Sequence, residues 1–407
     1  MRDAIWPVAI VGGGASGLMA AVAASQTRPG SVLLLEKEPR VGRKLLATGN
    51  GRCNLLNLSA GPEHYHGGGA QAAASLLSRM PPKAVIARFE ALGLHVREEE
   101  DGRIYPYSGQ ASAVLDVLRA ACGRQGVKTL CGAEVVRITP GGGAFTLRMA
   151  SGEAHAARRV ILAAGGMAAP AFGASGQSFA LLSGVGHTVV PPMPALSPLR
   201  LPAERVRGLK GVRVRATLAL VSQGAPQGEA RGEALFTEYG VSGIAAMRLS
   251  RRAGELLRSG KDATLSIRLL DTETAEAQME RRLSLYKNQS LESFFTGLLH
   301  SRVALCLLRE AGLSAGAPVT LAAAGILARL LADWQVPILS VLPFEHAQAT
   351  AGGAVLEEFH PQTLESLILP GFYACGEALD VDGDCGGYNL LWAWVSGAAA
   401  GENAGKP

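Results

Sequence analysis

Long apolar runs are missing from this chain. Nowhere in its 407 residues do about 18 apolar residues follow one another without interruption, so no transmembrane helix and no membrane partner are expected. Cysteine is sparse and scattered. The six thiols, Cys53, Cys122, Cys131, Cys306, Cys375 and Cys385, form no Cys-x-x-Cys pair and no Cys/His ligand spacing. That argues against structural zinc, or any other metal site, and predicts reduced thiols in a cytoplasmic protein. Charge is also limited: 18% charged against 48% apolar residues is a globular profile, without a disordered tail. The apolar stretch Ile5–Val11 runs into Gly12-Gly13-Gly14 and meets no cleavage site, so a buried strand is a better reading than a signal peptide.

Neither sign of charge dominates overall, and the formal net charge of +5 has a location. Residues 191–346 hold 19 Lys/Arg against 14 Asp/Glu, and the rest of the chain holds 20 of each. A basic excess confined to one segment suits an anionic partner or a solvated basic face equally well.

What the chain does have is glycine, 51 of them. A buried strand over Ala4–Val11, a glycine-rich turn, a helix over roughly 15–27 and a second buried strand over Ser31–Leu35 make a β-α-β unit. Helical patterns follow near 70–79, 82–92 and 109–125. Short strands are expected at 127–131, 133–138 and 144–149, with a hairpin around Gly141-Gly142-Gly143, and a buried strand at Val160–Ala164. Near residue 190 the character changes. Pro191, Pro192, Pro194, Pro198 and Pro202 punctuate the chain, and alternating strands such as Arg213–Val221 follow. A helix-rich stretch over about 272–332 leads to a strand at Pro337–Leu342, another at Phe372–Cys375 and a last helix over about 388–401. The fold class predicted is α/β. A nucleotide-binding domain made of residues 1–190 and 347–407 is interrupted by an inserted domain, 191–346.

Gly12-Gly13-Gly14-Ala15-Ser16-Gly17 matches G-x-G-x-x-G, a weak pattern alone but a specific one between a buried strand and an Ala-rich helix. Gly12 permits the tight turn, Gly14 lets a pyrophosphate approach the backbone, and Gly17 lets helix and strand pack closely. Ala15 and Ser16 open the helix. Glu36, 19 residues after Gly17, is placed to accept hydrogen bonds from an adenosine ribose, with Lys37 beside it.

Three further segments favour FAD over NAD. The loop from Val41 to Asn54, VGRKLLATGNGRCN, offers Arg43, Lys44 and Arg52 as donors to phosphate or to the flavin pyrimidine edge, and Asn50, Gly51 and Asn54 as further contacts. The strand at Val135 and the run ending in Ala164-Gly165 return the chain to the nucleotide. Gly376-Glu377 follows a strand, and Gly387-Tyr388-Asn389-Leu390 opens the last helix. A helix N-terminus carries about half a positive charge, which would stabilise an anionic reduced flavin. Glu377 or Asp380 would bond the ribityl chain.

These segments carry a resemblance. GGGASGLMAA, GRKLLATGNGRCNLLN, GRIYP, ALFTEYGVSG and GEALDVDGDCGGYNLLWAWVSG resemble the signature segments of the BaiN-like, or YhiN-like, flavoproteins, commonly labelled NAD(P)/FAD-dependent or aminoacetone-oxidase-family proteins. The likeness covers essentially the whole chain. It implies a Rossmann-like, two-dinucleotide-type FAD domain interrupted by a β-barrel-like insert with a helical subdomain at about 272–332. The chain departs from the family at Leu56, where Thr is common, and at Ala163-Ala164-Gly165-Gly166, where an ATGG-like turn is common.

The resemblance also implies a reaction, reduction of a conjugated C=C by hydride from flavin N5. The substrate would be a steroid or bile-acid-type enone, or uridine of ribosomal RNA. NAD(P)H would be a transient donor, since a second dinucleotide motif is absent. The proton requires an acid near the flavin, and Cys385, Tyr388 and Cys53 are the residues the motifs supply. Cys385 precedes a helix N-terminus, which favours thiolate, a form that donates no proton; Tyr388 is nearly as good a choice, and Cys53 serves equally as a packed thiol. His64 and His66 read as solvated loop residues more readily than as substrate contacts. Arg200, Arg205, Arg207, Lys210, Arg213 and Arg215, opposed locally by Glu204 alone, suit phosphate contacts, with Arg205, Arg207 and Lys210 as the RNA-type contacts. No aromatic residue lies within that cluster for base stacking. Two rival readings remain, a flavin oxidase of a small amine and an RNA- or ribosome-binding protein whose flavin is structural.

Overall fold

The computed structural model describes residues 5–407, so Ala4, where the sequence reading opens the first strand, lies outside the described residues. The chain divides into two compact units. One runs to Met193 and resumes at Gln348; the other is Pro194–Ala347.

In the first unit β1 (Trp6–Val11) leads into α1 (Ala15–Thr27) and then β2 (Val32–Glu36). Val8–Val11 and Val32–Leu35 are buried, the continuous apolar runs of parallel strands covered on both faces. Strands Lys128–Cys131, β2, β1 and Ala154–Leu162 lie side by side, all parallel. Beyond them the strand Ala154–Leu162 divides its partners. Its first half pairs antiparallel with Ala144–Met149, which forms a hairpin with Val135–Gly141, and its second half pairs parallel with Phe372–Ala374. This strand starts six residues before and ends two residues before the expected Val160–Ala164, because the continuous apolar run begins only at Val160; His155, Arg158 and Arg159 interrupt the pattern ahead of it.

The C-terminal helix, Tyr388–Ala404, packs against α1 along a stripe of glycines. A Cβ on Gly397 would sit 2.3 Å from Ser16 O, and one on Gly401 2.4 Å from Ala20 O. Only glycine lets the two backbones approach so closely. Trp392 and Trp394, both buried, donate their indole N–H groups to Gly376 O at 3.1 Å and Leu55 O at 2.9 Å. These bonds satisfy polar atoms that burial would otherwise strand.

The second unit holds an antiparallel sheet in the order Trp334–Pro337, Thr264–Arg268, Arg213–Ser222, Ala225–Phe236, Gly240–Ser242, Leu199–Arg200, Ser340–Val341. Its first and last strands are separated in sequence only by Ile338 and Leu339. Ile338 N–H donates to Ala263 O and Leu339 N–H to Arg200 O, at 2.8 and 2.9 Å. The sheet therefore curls until its ends meet, a barrel-like form. The expected strand Pro337–Leu342 is split at this corner. Helix Ile244–Arg258, missing from the sequence reading, buries Ala245, Ala246, Leu249, Ala253 and Leu256 against the sheet. Helices Thr272–Leu285, Leu291–Phe294, Ser301–Glu310 and Leu321–Ala332 form the helical part. Asp271, Ser290 and Thr320 cap three of them by accepting N–H bonds. Among the described residues, no helix is long and apolar enough to cross a membrane.

Candidate functional site

The glycine turn between β1 and α1 separates three jobs by geometry. Gly12 has φ +106°, and a Cβ there would lie 2.4 Å from Ala163 O. At Gly17 a Cβ would lie 1.9 Å from Gly12 O. Gly14 is different, since a Cβ there would meet nothing within 4 Å. It is the N-cap of α1 and no side chain caps that helix end, so the first-turn N–H groups face open space.

That space is a cavity lined by Gly12, Gly14, Ala15, Ser16, Glu36, Lys37, Arg43 and Lys44. Its wall continues through Val135, Ala164, Gly165, Gly376, Glu377, Asn389 and Leu390. Glu36 ends β2 at one side, where its carboxylate accepts Gly13 N–H at 2.7 Å and Glu38 N–H at 2.9 Å. Glu377 accepts Thr350 N–H at 3.0 Å with one oxygen and pairs with Lys44 Nζ at 2.7 Å with the other. Lys37 Nζ donates to Ser175 Oγ at 2.8 Å, and Arg43 pairs with Glu38 and donates to Ala171 O. These contacts fasten the 171–175 loop over one rim. A cleft whose wall holds a bare helix N-terminus, an acceptor carboxylate and the start of the C-terminal helix fits a dinucleotide. A side chain on Gly14 would fill it.

Several expected cofactor contacts lie off this cavity. Arg52 pairs with Glu99 and stacks 4.3 Å over the Tyr105 ring. Asn50 and Gly51, both at positive φ, form the turn before it. Asp380 is buried and already accepts Gly68 N–H at 2.8 Å and Gly352 N–H at 3.1 Å. Gly387 lies hard against Leu56, where a Cβ would be 2.6 Å from the carbonyl carbon. Asn54 points a buried amide oxygen, without a hydrogen-bond partner among the described residues, at that glycine.

Of the three acids, Cys53 is a core thiol. Its pKa is pushed up to about 12 by burial, against a hydrogen bond with Thr48. Cys385 is half-buried, and the buried Tyr388 accepts the Tyr65 hydroxyl at its carbonyl. The loop histidines need a correction. His64 Nδ1 lies 3.0 Å and His66 Nε2 2.9 Å from opposite oxygens of Asp384, so neither is merely solvated.

Lining residues absent from the sequence reading include Arg40, Thr48, Phe172, Ser175, Gln177 and Gln348. Thr48 was within reach, being inside the quoted loop, whereas nothing local marks 172–177.

In the second unit the basic cluster is less bare than its local sequence. Arg205 pairs with Glu310, which also accepts the Trp334 indole N–H. Lys210 meets Glu238 at 2.5 Å, and Arg213 meets Glu233. Three acids distant in sequence therefore oppose it, beyond Glu204.

The model of the family described as HI0933-like protein Rossmann domain matches residues 6–403. The 3-dehydro-bile acid delta(4,6)-reductase of Clostridium scindens is 34% identical, over 98% of this chain and 99% of that protein. The ribosomal RNA dihydrouridine synthase of Escherichia coli is 29% identical over 97% and 96%. Among solved structures, 3-ketosteroid delta1-dehydrogenase from Sterolibacterium denitrificans superposes with a TM-score of 0.51 at 14% identity, covering 98% of this chain and 99% of that one. That likeness is one of fold.

Proposed function

Since this chain belongs to the HI0933-like Rossmann-domain family and is an FAD-binding oxidoreductase, we propose that it reduces the C=C of a small conjugated enone of steroid type, with NAD(P)H as donor. The observation carrying this reading is the end-to-end 34% identity to a protein named as a bile-acid reductase. FAD, when bound and reduced, supplies the hydride.

The chain's own residues do the rest. The bare N-terminus of α1 and the open face of Gly14 would hold the pyrophosphate, and Glu36 would accept the ribose hydroxyls. The Lys44–Glu377 pair, Val135, Ala164 and Gly165 would line the cofactor's path, and Asn389 and Leu390 would present to it the start of the last helix, whose positive pole favours added negative charge. Cys385 or Tyr388, at the start of that helix, gives the proton.

A second reading, reduction of uridine in ribosomal RNA, is favoured by the positive excess of residues 191–346. The engagement of Arg205 with Glu310 and Lys210 with Glu238 weighs against it.

The test is to reduce the bound flavin anaerobically and mix it in parallel with a 4-ene-3-ketosteroid, with ribosomal RNA and with dioxygen. Rapid reoxidation by the steroid supports the proposal. Reoxidation by RNA alone moves the function to the second reading, and rapid peroxide formation with neither substrate points to an oxidase.

A further inference from the structure

Two short strands, Tyr65–His66 and Asp382–Gly383, pair antiparallel with His66 opposite Asp382 and Gly383 opposite Tyr65. They bring residues more than 300 positions apart onto one carboxylate. Asp384 Oδ2 lies 3.0 Å from His64 Nδ1, and its Oδ1 lies 2.9 Å from His66 Nε2. An ionised carboxylate only accepts hydrogen bonds, so both imidazoles present N–H to it, which fixes each ring's orientation and tautomer.

The cluster is tied to the start of the C-terminal helix. The His64 ring stacks on the Tyr388 ring, centroids 4.3 Å apart. Asp384 N–H donates to His64 O at 2.9 Å. Asn389, which lines the cofactor cavity, accepts Gly383 N–H at 2.9 Å and donates to Gly383 O at 2.7 Å. The loop carrying Asp384 and Cys385 is thus bolted to the helix turn carrying Tyr388 and Asn389. The outer nitrogen of His64, Nε2, faces Glu63 at 3.5 Å, and Glu63 is exposed. Charged and titratable groups around the cluster are Glu63, Tyr65, Asp382, Asp384, Cys385 and Tyr388.

We propose that Asp384 and its two histidines form the proton supply for the reduction, connecting solvent at Glu63 to the acid at the start of the C-terminal helix. This rests on the enone reading above. In that reaction the hydride and its electron pair form a C–H bond at the β-carbon, the C=C π bond breaks, and the α-carbon takes a proton from Cys385 or Tyr388. The anion left on that acid recovers its proton from water by way of the cluster, whose His64 ring lies against Tyr388. The net change adds two hydrogens to the enone, with reduced FAD as the two-electron donor. Asp384 acts through the histidines and is a positioning residue; a charged imidazole without it would lose both its orientation and its counter-charge.

The test has one arm independent of turnover. In oxidised, FAD-loaded protein labelled at the histidine ring nitrogens, NMR should show neutral His64 carrying its proton on Nδ1 and neutral His66 on Nε2. Asp384→Asn should release both rings to mixed tautomers. Other tautomers in the wild type, or tautomers that Asp384→Asn leaves alone, would overturn the proposal. The second arm follows reoxidation of the reduced flavin by a 4-ene-3-ketosteroid across pH. His64→Ala and Asp384→Asn should slow that step by about 10²-fold or more, and added imidazole should partly rescue His64→Ala. The reductive half-reaction and the flavin spectrum serve as internal controls for folding. Wild-type protein that no enone reoxidises refutes the enone reading itself. Wild-type protein reoxidised at a rate these substitutions do not change refutes the proton-supply assignment alone.

Discussion

Substituting Gly14 and Gly17 of the phosphate turn one at a time should separate fold from cofactor. Gly14 has φ −80° and ψ −165°, a conformation open to any residue, and a Cβ there meets nothing within 4 Å. Gly14→Val should therefore cost the apoprotein only the preference for glycine over an aliphatic N-cap, about 1 kcal/mol, or roughly 2–4 °C in Tm. If the pyrophosphate approaches Gly14 as proposed, the valine methyls would stand in its way, and FAD affinity should fall at least about 100-fold, some 2.8 kcal/mol. Gly17→Ala should behave the other way. Its Cβ would lie 1.9 Å from Gly12 O, so α1 must move off the turn, an overpacking cost of about 1–3 kcal/mol or more that is present without ligand. Thermal melts of the apoproteins and flavin-fluorescence titrations measure both quantities. A Gly14→Val protein that binds FAD within a few-fold of wild type, or whose apoprotein melts as early as Gly17→Ala, would refute the assignment of the cavity.

Cys385→Ala or Tyr388→Phe should slow reoxidation by the enone about 10²–10⁴-fold while leaving flavin reduction intact, as stopped-flow of each half-reaction would read; equal loss in both halves would mark a packing role. Glu377→Gln should weaken FAD binding by about 10-fold through the Lys44 pair, which equilibrium dialysis measures. Burial holds the His187 imidazole below its ordinary value of about 6.5, despite Glu358 at 2.8 Å. Burial alone would raise the Glu358 carboxyl, but bonds from Thr188 and His187 hold it below its ordinary value. The unfolded chain therefore binds protons first at both groups, and stability present at neutral pH is lost as pH falls below about 6.5. Tm should drop between pH 7 and 5, less steeply in His187→Phe, and an unchanged slope would contradict this. If RNA binds, Arg207→Ala should flatten the salt dependence of its affinity by up to about one unit of slope, whereas Arg205→Ala should lower Tm, since Arg205 braces Glu310.

The parts legible in sequence are those whose cause is local. Gly12, Gly14 and Gly17 sit within six residues, and their roles follow from one turn. The same holds for the apolar runs of β1 and β2, and for the change of character at the prolines near 190, close to the Met193/Pro194 boundary of the compact units. Partnerships across the chain were not legible. Lys44 meets Glu377 across 333 residues, and His64 meets Asp384 across 320. Arg52 reads as a cofactor donor because its neighbours are glycine and asparagine, yet Glu99 and Tyr105 claim it. Asp380 reads as a ribityl partner, yet two backbone N–H groups occupy its oxygens. Periodicity reveals neither, because a loop carries no pattern that says what it will face. Strand Ala225–Phe236 was illegible for another reason: Gly228 and Gly232, with the charged residues Glu229, Arg231 and Glu233, break the apolar alternation that would mark a strand.

Reduction of a conjugated C=C at a bound flavin can be tested in a single turnover. Protein with its flavin reduced anaerobically is mixed with one equivalent of a 4-ene-3-ketosteroid, and flavin absorbance is followed while the steroid is recovered for mass spectrometry. Oxidised-flavin absorbance should return without air, with one steroid molecule heavier by two hydrogens for each FAD. A flavin that stays reduced until air is admitted, with the steroid recovered unchanged, would contradict it.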